Sequence, residues 1–286
     1  MNSSSGGKTV PAGSGPAGSG PAGSGRSYAS LFLSDLHLGA RACRDGALFS
    51  FLQAHQADRI YLVGDVFDTW HGMGAQWTDT QHAIIHLLLA RARDGVEIVY
   101  TPGNHDAFFR QYIGKLFDNI TIADHVIHTS GDGCRYLVIH GDSVDIFAGR
   151  FHLLSRMAAK AEHTFRGLGS AAQKMLRRFD LPISDRIDGM VARINHLIRS
   201  QDNFQQRLVD LARKHRADGI ICGHFHQPAL HDDFGITYAN CGDWVENSSA
   251  LVETWSGALV SVDWSTSQEA RGAVPLSAEP LVVQEM

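Results

Sequence analysis

The sequence predicts an α/β fold built around a largely parallel sheet. Apolar runs of strand length alternate with amphipathic stretches at helical spacing. The alternation is tight, so successive strands must be joined by right-handed crossovers. Each strand-like run also ends in a polar turn, most often with a glycine in or beside it.

The elements run in order along the chain. "YASLFLS" (28–34) is a strand, and "GALFSFLQAHQ" (46–56) has helical spacing. "RIYLVGD" (59–65) is a second strand ending in a turn. "TDTQHAIIHLLLARARDG" (78–95) reads as a helix with a Thr/Asp start and a glycine stop. "VEIVYTPGNHD" (96–106) is a third strand broken at Pro-Gly. "CRYLVIHGD" (134–142) and "GIICGHFH" (219–226) are two more strands with polar ends. "ITYANCGDW", "SALVETW" and "ALVSVDW" (236–264) read as short strands joined by hairpins.

Two regions differ in kind. Residues 11–25 repeat "PAGSG" three times, a composition that cannot bury enough apolar surface to offset chain entropy. Residues 1–27 are therefore expected to be a disordered tail, 28–264 the folded domain, and 265–286 a second tail. Residues 147–216 carry little strand signal and read as a helical insert. From 146 to 201 there are ten Lys or Arg against four Asp or Glu, in a chain of formal net charge −5. The bland reading of this insert is a solvated helical pair. The sharper one is a cap, basic outside and apolar within, suited to an anionic amphiphile or a membrane surface.

Composition narrows the function. The acidic balance and the lack of a basic, aromatic groove argue against nucleic acid as a partner. Cys43, Cys134, Cys222 and Cys241 are scattered with no C-x-x-C, as expected for free thiols in a reducing compartment. No apolar run approaches the ~18–20 residues of a membrane span, and no signal-peptide core is visible. A cytoplasmic location is the expectation, with contact at the inner membrane face through the insert.

Five polar clusters share one placement, each just after an apolar strand. They are Asp35 and His37 in "SDLHLG", Asp65 in "GDVFD", Asn104 and His105 in "GNHD", His140 in "HGD", and His224 and His226 in "GHFH". Loops beyond the carboxyl ends of parallel strands converge on one crevice, where ligands bind. Singly, each motif is more often a turn or a helix cap. Jointly, they gather carboxylate, imidazole and amide donors suited to Mn²⁺, Fe²⁺ or Zn²⁺, and the absence of thiolate argues against a structural zinc. Seven donors exceed what one octahedral ion uses while leaving room for water and substrate. Two ions ~3.5–4 Å apart bridged by a carboxylate fit the set, and Asp65 is the natural bridge. Trp70, Arg110 and Trp244 lie near these motifs, and core packing is the expected role of the two tryptophans.

D-x-H, G-D-x-x-D, G-N-H-D, H-G-D and G-H-x-H in this order resemble the calcineurin-like metallophosphoesterases over roughly residues 29–264. The resemblance implies a two-sheet, four-layer α/β/β/α sandwich with a dimetal site at one edge. It implies that Asp35, His37, Asp65 and His226 hold one metal, and Asp65, Asn104, His140 and His224 the other. Mn²⁺ is the first expectation, with Fe²⁺ and Zn²⁺ as alternatives. His105 matches the family's histidine that protonates the leaving oxygen, and Asp106 is expected to orient it. Asn104, His105 and His224 are expected to touch the substrate.

"GDVFDTW", the insert after "HGD", and "NCGDWVENSSALVE" are similar to the UDP-2,3-diacylglucosamine pyrophosphatase branch. Those bacterial enzymes cut a UDP-linked lipid A precursor to UMP and a lipid phosphate. One departure stands out: the best-defined hydrolases carry "GNRD", whereas this chain has His105. The alternatives are hydrolysis of another nucleotide-linked substrate, or a non-catalytic metal-binding scaffold.

Overall fold

The computed structural model describes residues 26–69, 77–144 and 201–265, with the side chains of 201–203 excepted. Among the described residues, twelve strands form two sheets. The first seven are β1 (Arg26–Leu33), β2 (His55–Val63), β3 (Glu97–Thr101), β4 (Leu116–Phe117), β5 (Ile120–Ile122), β6 (Val126–Thr129) and β7 (Arg135–Val138). The rest are β8 (Gly219–Cys222), β9 (Ala229–His231), β10 (Thr237–Asn240), β11 (Ser249–Glu253) and β12 (Leu259–Asp263). Among the described residues, three α-helices accompany them: α1 (Asp45–Ala54), α2 (Asp79–Arg93) and α3 (Gln201–Lys214).

The larger sheet has the order β12-β11-β1-β2-β3-β5-β4, and the smaller β6-β7-β8-β10-β9. Strands β1, β2, β3 and β5 run parallel, as do β7, β8 and β10, and the outer strands are antiparallel. The centre of β1 shows why its sequence is a nearly unbroken apolar run. Leu31 and Leu33 pack with α1 and α2, while Phe32 between them packs with Val138, Ile221 and Ala239 of the second sheet. Both faces are buried, so no polar alternation survives. A third apolar layer joins Leu137 and Ile220 of the smaller sheet to Phe204, Leu208 and Ala212 of α3. The layers are therefore helix, sheet, sheet, helix.

Local chemistry sets the helix ends. Thr78 caps α2 by accepting from the Gln81 N–H (3.1 Å), Asp79 occupies the first turn, and Arg91 and Arg93 the last. Helix α1 stops at Ala54, two residues before the periodicity predicts. Two of its final carbonyls are taken, Phe51 O by His55 Nδ1 at 2.8 Å and Leu52 O by the Arg91 guanidinium, which also donates to His55 O at the start of β2.

The structure differs from the expectations in several places. Strand β1 begins at Arg26, since Arg26 and Ser27 pair with His55 and Gln56. Residues 236–264 are not one hairpin series. Strand β10 is parallel to β8 in the smaller sheet, the chain crosses over between 241 and 248, and only β11 and β12 form a hairpin. Of the expected insert, 147–200 lies outside the described residues, as do Trp70 and both expected tails apart from Arg26, Ser27 and Ser265. The part from 201 to 214 is α3, which packs on the smaller sheet. Trp244 is fully buried in the core, as expected of it. All four cysteines are free thiols. Among the described residues, no helix is long and apolar enough to cross a membrane.

Candidate metal centre

Within each sheet the parallel strands point their carboxyl ends the same way, and across the two sheets these ends meet at one edge. Asp35 and His37 follow β1, Asp65 follows β2, and residues 102–106 follow β3. From the smaller sheet, His140 follows β7, His224 and His226 follow β8, and Asp243 follows β10. The seam between the sheets is stitched by Trp244 N donating to Asp35 O (3.1 Å) and His224 N donating to Asp35 Oδ2 (2.9 Å).

Five of the seven predicted ligands have left-handed backbones: Asp35 (φ 53°), His37 (48°), Asp65 (51°), His224 (72°) and His226 (55°). Each such residue costs roughly 1–2 kcal/mol, and their concentration at one site marks strain held for a purpose. That conformation lets two side chains, two positions apart at a strand end, turn to a common centre. Gly223 completes the approach: a Cβ there would lie 2.5 Å from Asp35 Oδ2 and overlap Ser34 Oγ.

The donors converge. Asp35, His37 and His226 place ligand atoms within 4.8 Å of one another, and so do Asp65, His140 and His224. A third such group is His37, Asp65 and His105. Asp35 Oδ1 is ringed by three imidazoles, with His226 Nε2 at 3.2 Å, His140 Nε2 at 3.6 Å and His37 Nε2 at 3.8 Å. His140 Nε2 is also 3.6 Å from Asp65 Oδ2. Asn104 sits on the loop whose next N–H, from His105, donates to Asp65 Oδ1 (2.8 Å).

Asp35 Oδ1 and His140 Nε2 are buried and make no hydrogen bond. Buried polar atoms rarely stay so, and these two face the same small space as the other donors. With oxygen and ring-nitrogen donors and no thiolate, the set fits divalent cations.

Electrostatics agree. Burial pushes the Asp35 carboxyl up, but His140, His226 and His37 outweigh it and hold it well below the usual range. Burial pulls His140 down, yet Asp65, Asp142 and Asp35 hold it well above the ordinary histidine value. His226 is likewise lowered by burial and then lifted to about 10, chiefly by Asp243 and Asp35. The field of this pocket favours positive charge.

The ligands are oriented from behind. His140 Nδ1 lies 3.3 Å from Asp142 Oδ1, and Arg110 Nη2 donates to Asp142 Oδ2 (2.6 Å). His226 Nδ1 lies 3.4 Å from Asp243 Oδ2. Asp243 also accepts from the N–H groups of Val245 (2.7 Å), Glu246 (2.5 Å) and Asn247 (3.1 Å). Burial raises its carboxyl, but His226 and those N–H groups bring it to about 2. The motifs alone do not assign Asp142 and Asp243 this role, although both sit in Gly-Asp turns after strands, "HGD" and "CGD".

One expectation is corrected. Asp106 does not orient His105. Its carboxylate is buried and turned inward, accepting from Val66 N (2.7 Å), Gly103 N (2.6 Å) and Tyr100 OH (2.5 Å). It ties the loop after β2 to the loop after β3, and burial together with Asp65 pushes its carboxyl up. The group facing His105 Nδ1 is Asp68, with Oδ1 at 3.4 Å. Asp68 is the second aspartate of "GDVFD", a motif that shows the residue but not its partner. The His105 ring stands edge-on to His37, centroids 4.6 Å apart, at the rim of the donor cluster.

The family model described as calcineurin-like phosphoesterase matches residues 30–228. UDP-2,3-diacylglucosamine hydrolase of Haemophilus influenzae (strain PittGG) is 28% identical over 242 residues, covering 78% of this chain and 94% of that protein. The protein of the same name from Neisseria meningitidis serogroup B is 26% identical over 244 residues, covering 81% and 96%. Among solved structures, an archaeal phosphodiesterase aligns over 82% of this chain and 98% of its own, at 10% identity and a TM-score of 0.39.

Proposed function

The chain belongs to the calcineurin-like phosphoesterase family, and from that premise we propose that it cleaves the diphosphate of a UDP-linked diacylglucosamine to UMP and a lipid phosphate. It is a hydrolase of phosphoric ester or diphosphate bonds. Asp35, His37, Asp65 and His226 hold one divalent cation in this reading, and Asp65, Asn104, His140 and His224 the other, with Mn²⁺ the first choice. When bound, such a pair supplies a water acidic enough to attack near neutral pH and draws charge from the phosphoryl oxygens.

The chain's own groups do the rest. His105, at the rim, donates a proton to the departing oxygen. Asp68 faces its Nδ1, so that nitrogen donates to the carboxylate and the ring is held with its other nitrogen toward substrate. Asp142 and Asp243 hold the rings of His140 and His226 in register. Asp106 keeps the loops after β2 and β3 at a fixed separation, so that Asp65 and His105 stay adjacent. The observation that carries the reading is the meeting of two ligand triads with His105 beside them.

The substrate assignment draws on the relatives' names and on their near-complete coverage. The test is product analysis with Mn²⁺ on UDP-2,3-diacylglucosamine in detergent micelles, UDP-N-acetylglucosamine and bis-p-nitrophenyl phosphate. UMP release from the acylated substrate alone among the UDP-sugars supports the proposal. Cleavage of bis-p-nitrophenyl phosphate without UMP release moves the assignment to another nucleotide-linked substrate, the reading that His105 in place of arginine favours. No cleavage of any of the three points to a scaffold.

A further inference from the structure

The run beyond the His105 loop is unusually bare. Phe108 is 63% exposed, Ile113 39%, Leu116 66% and Phe117 51%. Neighbouring residues in a strand point to opposite faces, so a hairpin in water should bury one of Leu116 and Phe117. Both are exposed, and among the described residues neither face of the β4–β5 hairpin is covered at β4. Among the described residues, strand β4 is also the last of the larger sheet, so the patch runs from the rim of the site down that sheet edge. The rings are linked along it: Phe108 lies 6.0 Å from Tyr112, and Tyr112 lies 6.2 Å from Phe117.

The charges here are one-sided. Residues 107–117 contain Lys115 and no Asp or Glu, and their other cation, Arg110, donates to Asp142. Of the flanking acids, Asp118 lies 4.0 Å from Arg93 Nε and Asp124 lies 3.5 Å from His125 Nδ1. Protruding Phe and Leu side chains with lysine beside them are the chemistry of a lipid–water interface, where rings enter the headgroup layer and the ammonium meets anionic lipid.

We propose that Phe108, Ile113, Leu116 and Phe117 form a docking patch that seats this protein on the surface of an anionic lipid bilayer. The inference deepens the lipid-substrate reading and rests on it: a site that takes a diacylated substrate must meet the layer holding that substrate. Phe108 is three positions beyond His105, so a docked patch brings the rim of the site to the headgroups.

The test is co-sedimentation of the full chain with vesicles of phosphatidylethanolamine containing a minor share of phosphatidylglycerol, and with vesicles of phosphatidylcholine alone. Wild type is expected to sediment with the anionic vesicles and less with the neutral ones. The variant Leu116→Ser/Phe117→Ser is expected to lose binding by on the order of tenfold or more, while hydrolysing bis-p-nitrophenyl phosphate at the wild-type rate, which also verifies its fold. Should that variant misfold, Phe117→Trp replaces it: brominated acyl chains are expected to quench the added emission. Vesicle binding unchanged in the serine variant, no quenching in the tryptophan one, or no binding by wild type overturns the proposal. A wild-type dimer that the serine variant converts to monomer, without vesicle binding, overturns it too and assigns the patch to a second copy. None of these readouts uses UDP-diacylglucosamine, so failure here is distinct from failure to cleave that lipid in micelles.

Discussion

Gly103→Ala changes the protein by one methyl group, and its consequence can be worked from the structure. Gly103 lies outside the left-handed region, so its backbone accepts alanine without strain. The added Cβ would stand 2.2 Å from Asp65 Oδ1 and 2.6 Å from His140 Nδ1 and Cε1. Recovering ordinary contact at about 3.5 Å demands a shift of roughly 1 Å. Neither neighbour is a loose side-chain tip, since Asp65 is buried against the His105 N–H and His140 is held by Asp142. The shift must therefore fall on the proposed bridging carboxylate and on a ligand of the second cation. Misplacement of about 1 Å costs on the order of 10²-fold in rate, while overpacking destabilises the fold by about 1–3 kcal/mol, which a core of this size tolerates. The assay pairs hydrolysis of bis-p-nitrophenyl phosphate with calorimetric titration of the metal-stripped protein by Mn²⁺. A folded variant with a weakened second binding step and depressed turnover is expected. A variant that binds both ions as wild type does and turns over at the same rate refutes the placement of Asp65 and His140.

Other perturbations separate the roles of individual groups. His105→Ala should lower turnover by roughly 10²–10⁴-fold with both cations still bound; metal loss in that variant would make His105 a ligand. Asp68→Asn should reduce turnover by about 10–100-fold in an otherwise wild-type background and have little further effect once His105 is alanine, because both substitutions remove one unit. Additive losses in the double variant would contradict the pairing. Asp243→Asn should weaken Mn²⁺ binding by about 10–100-fold through a loosened His226; an unchanged titration would dismiss Asp243 as a support. Far from the site, Glu253 accepts from Ser30 Oγ (2.6 Å) and Gly131 N (2.8 Å) and lies 3.0 Å from His128 Nε2. Burial raises its carboxyl, but those partners outweigh it and leave it below its ordinary value of 4.5. A depressed carboxyl stabilises the fold above that ordinary value, and the contribution is lost as pH falls through the depressed one. Urea midpoints should therefore drop on acidification in wild type and less steeply in Glu253→Gln, and equal acid slopes would exclude the network.

Much of the site is legible in the sequence because its donors come after strands in a fixed order, and parallel strands deliver the residues beyond their carboxyl ends to one edge. Asp35, His37, Asp65, His140, His224 and His226 are all brought together there. Motifs do not supply partnership. Asp106 adjoins His105 in the chain yet faces away, because a buried carboxylate is drawn to three N–H and O–H donors rather than to its neighbour's ring. Asp68 and Asp243 meet their histidines only across loops, and adjacency in sequence says nothing of such pairs. The left-handed backbone of five site residues is equally silent in the sequence, since Asp and His carry no marker for it as glycine does.

The fold shows the same division. Strands buried on both faces announce themselves as apolar runs, but an unbroken run does not say which sheet it joins. From sequence, β10 is therefore expected as a hairpin partner of β11, whereas it belongs beside β8. The short strands β4, β5, β6 and β9 span two to four residues each, too few for a period to show. Helix α3 is amphipathic by its spacing, but the sheet that takes its apolar face is fixed by Phe204, Leu208 and Ala212 meeting Leu137 and Ile220 in space.

The central claim is that side chains from both sheets hold a pair of divalent cations at their shared edge. Anomalous diffraction from crystals grown with Mn²⁺ addresses it most directly. The account predicts two peaks ~3.5–4 Å apart, with Asp65 between them, Asp35, His37 and His226 around one, and Asn104, His140 and His224 around the other. A single peak, or two peaks placed away from Asp65, would contradict it.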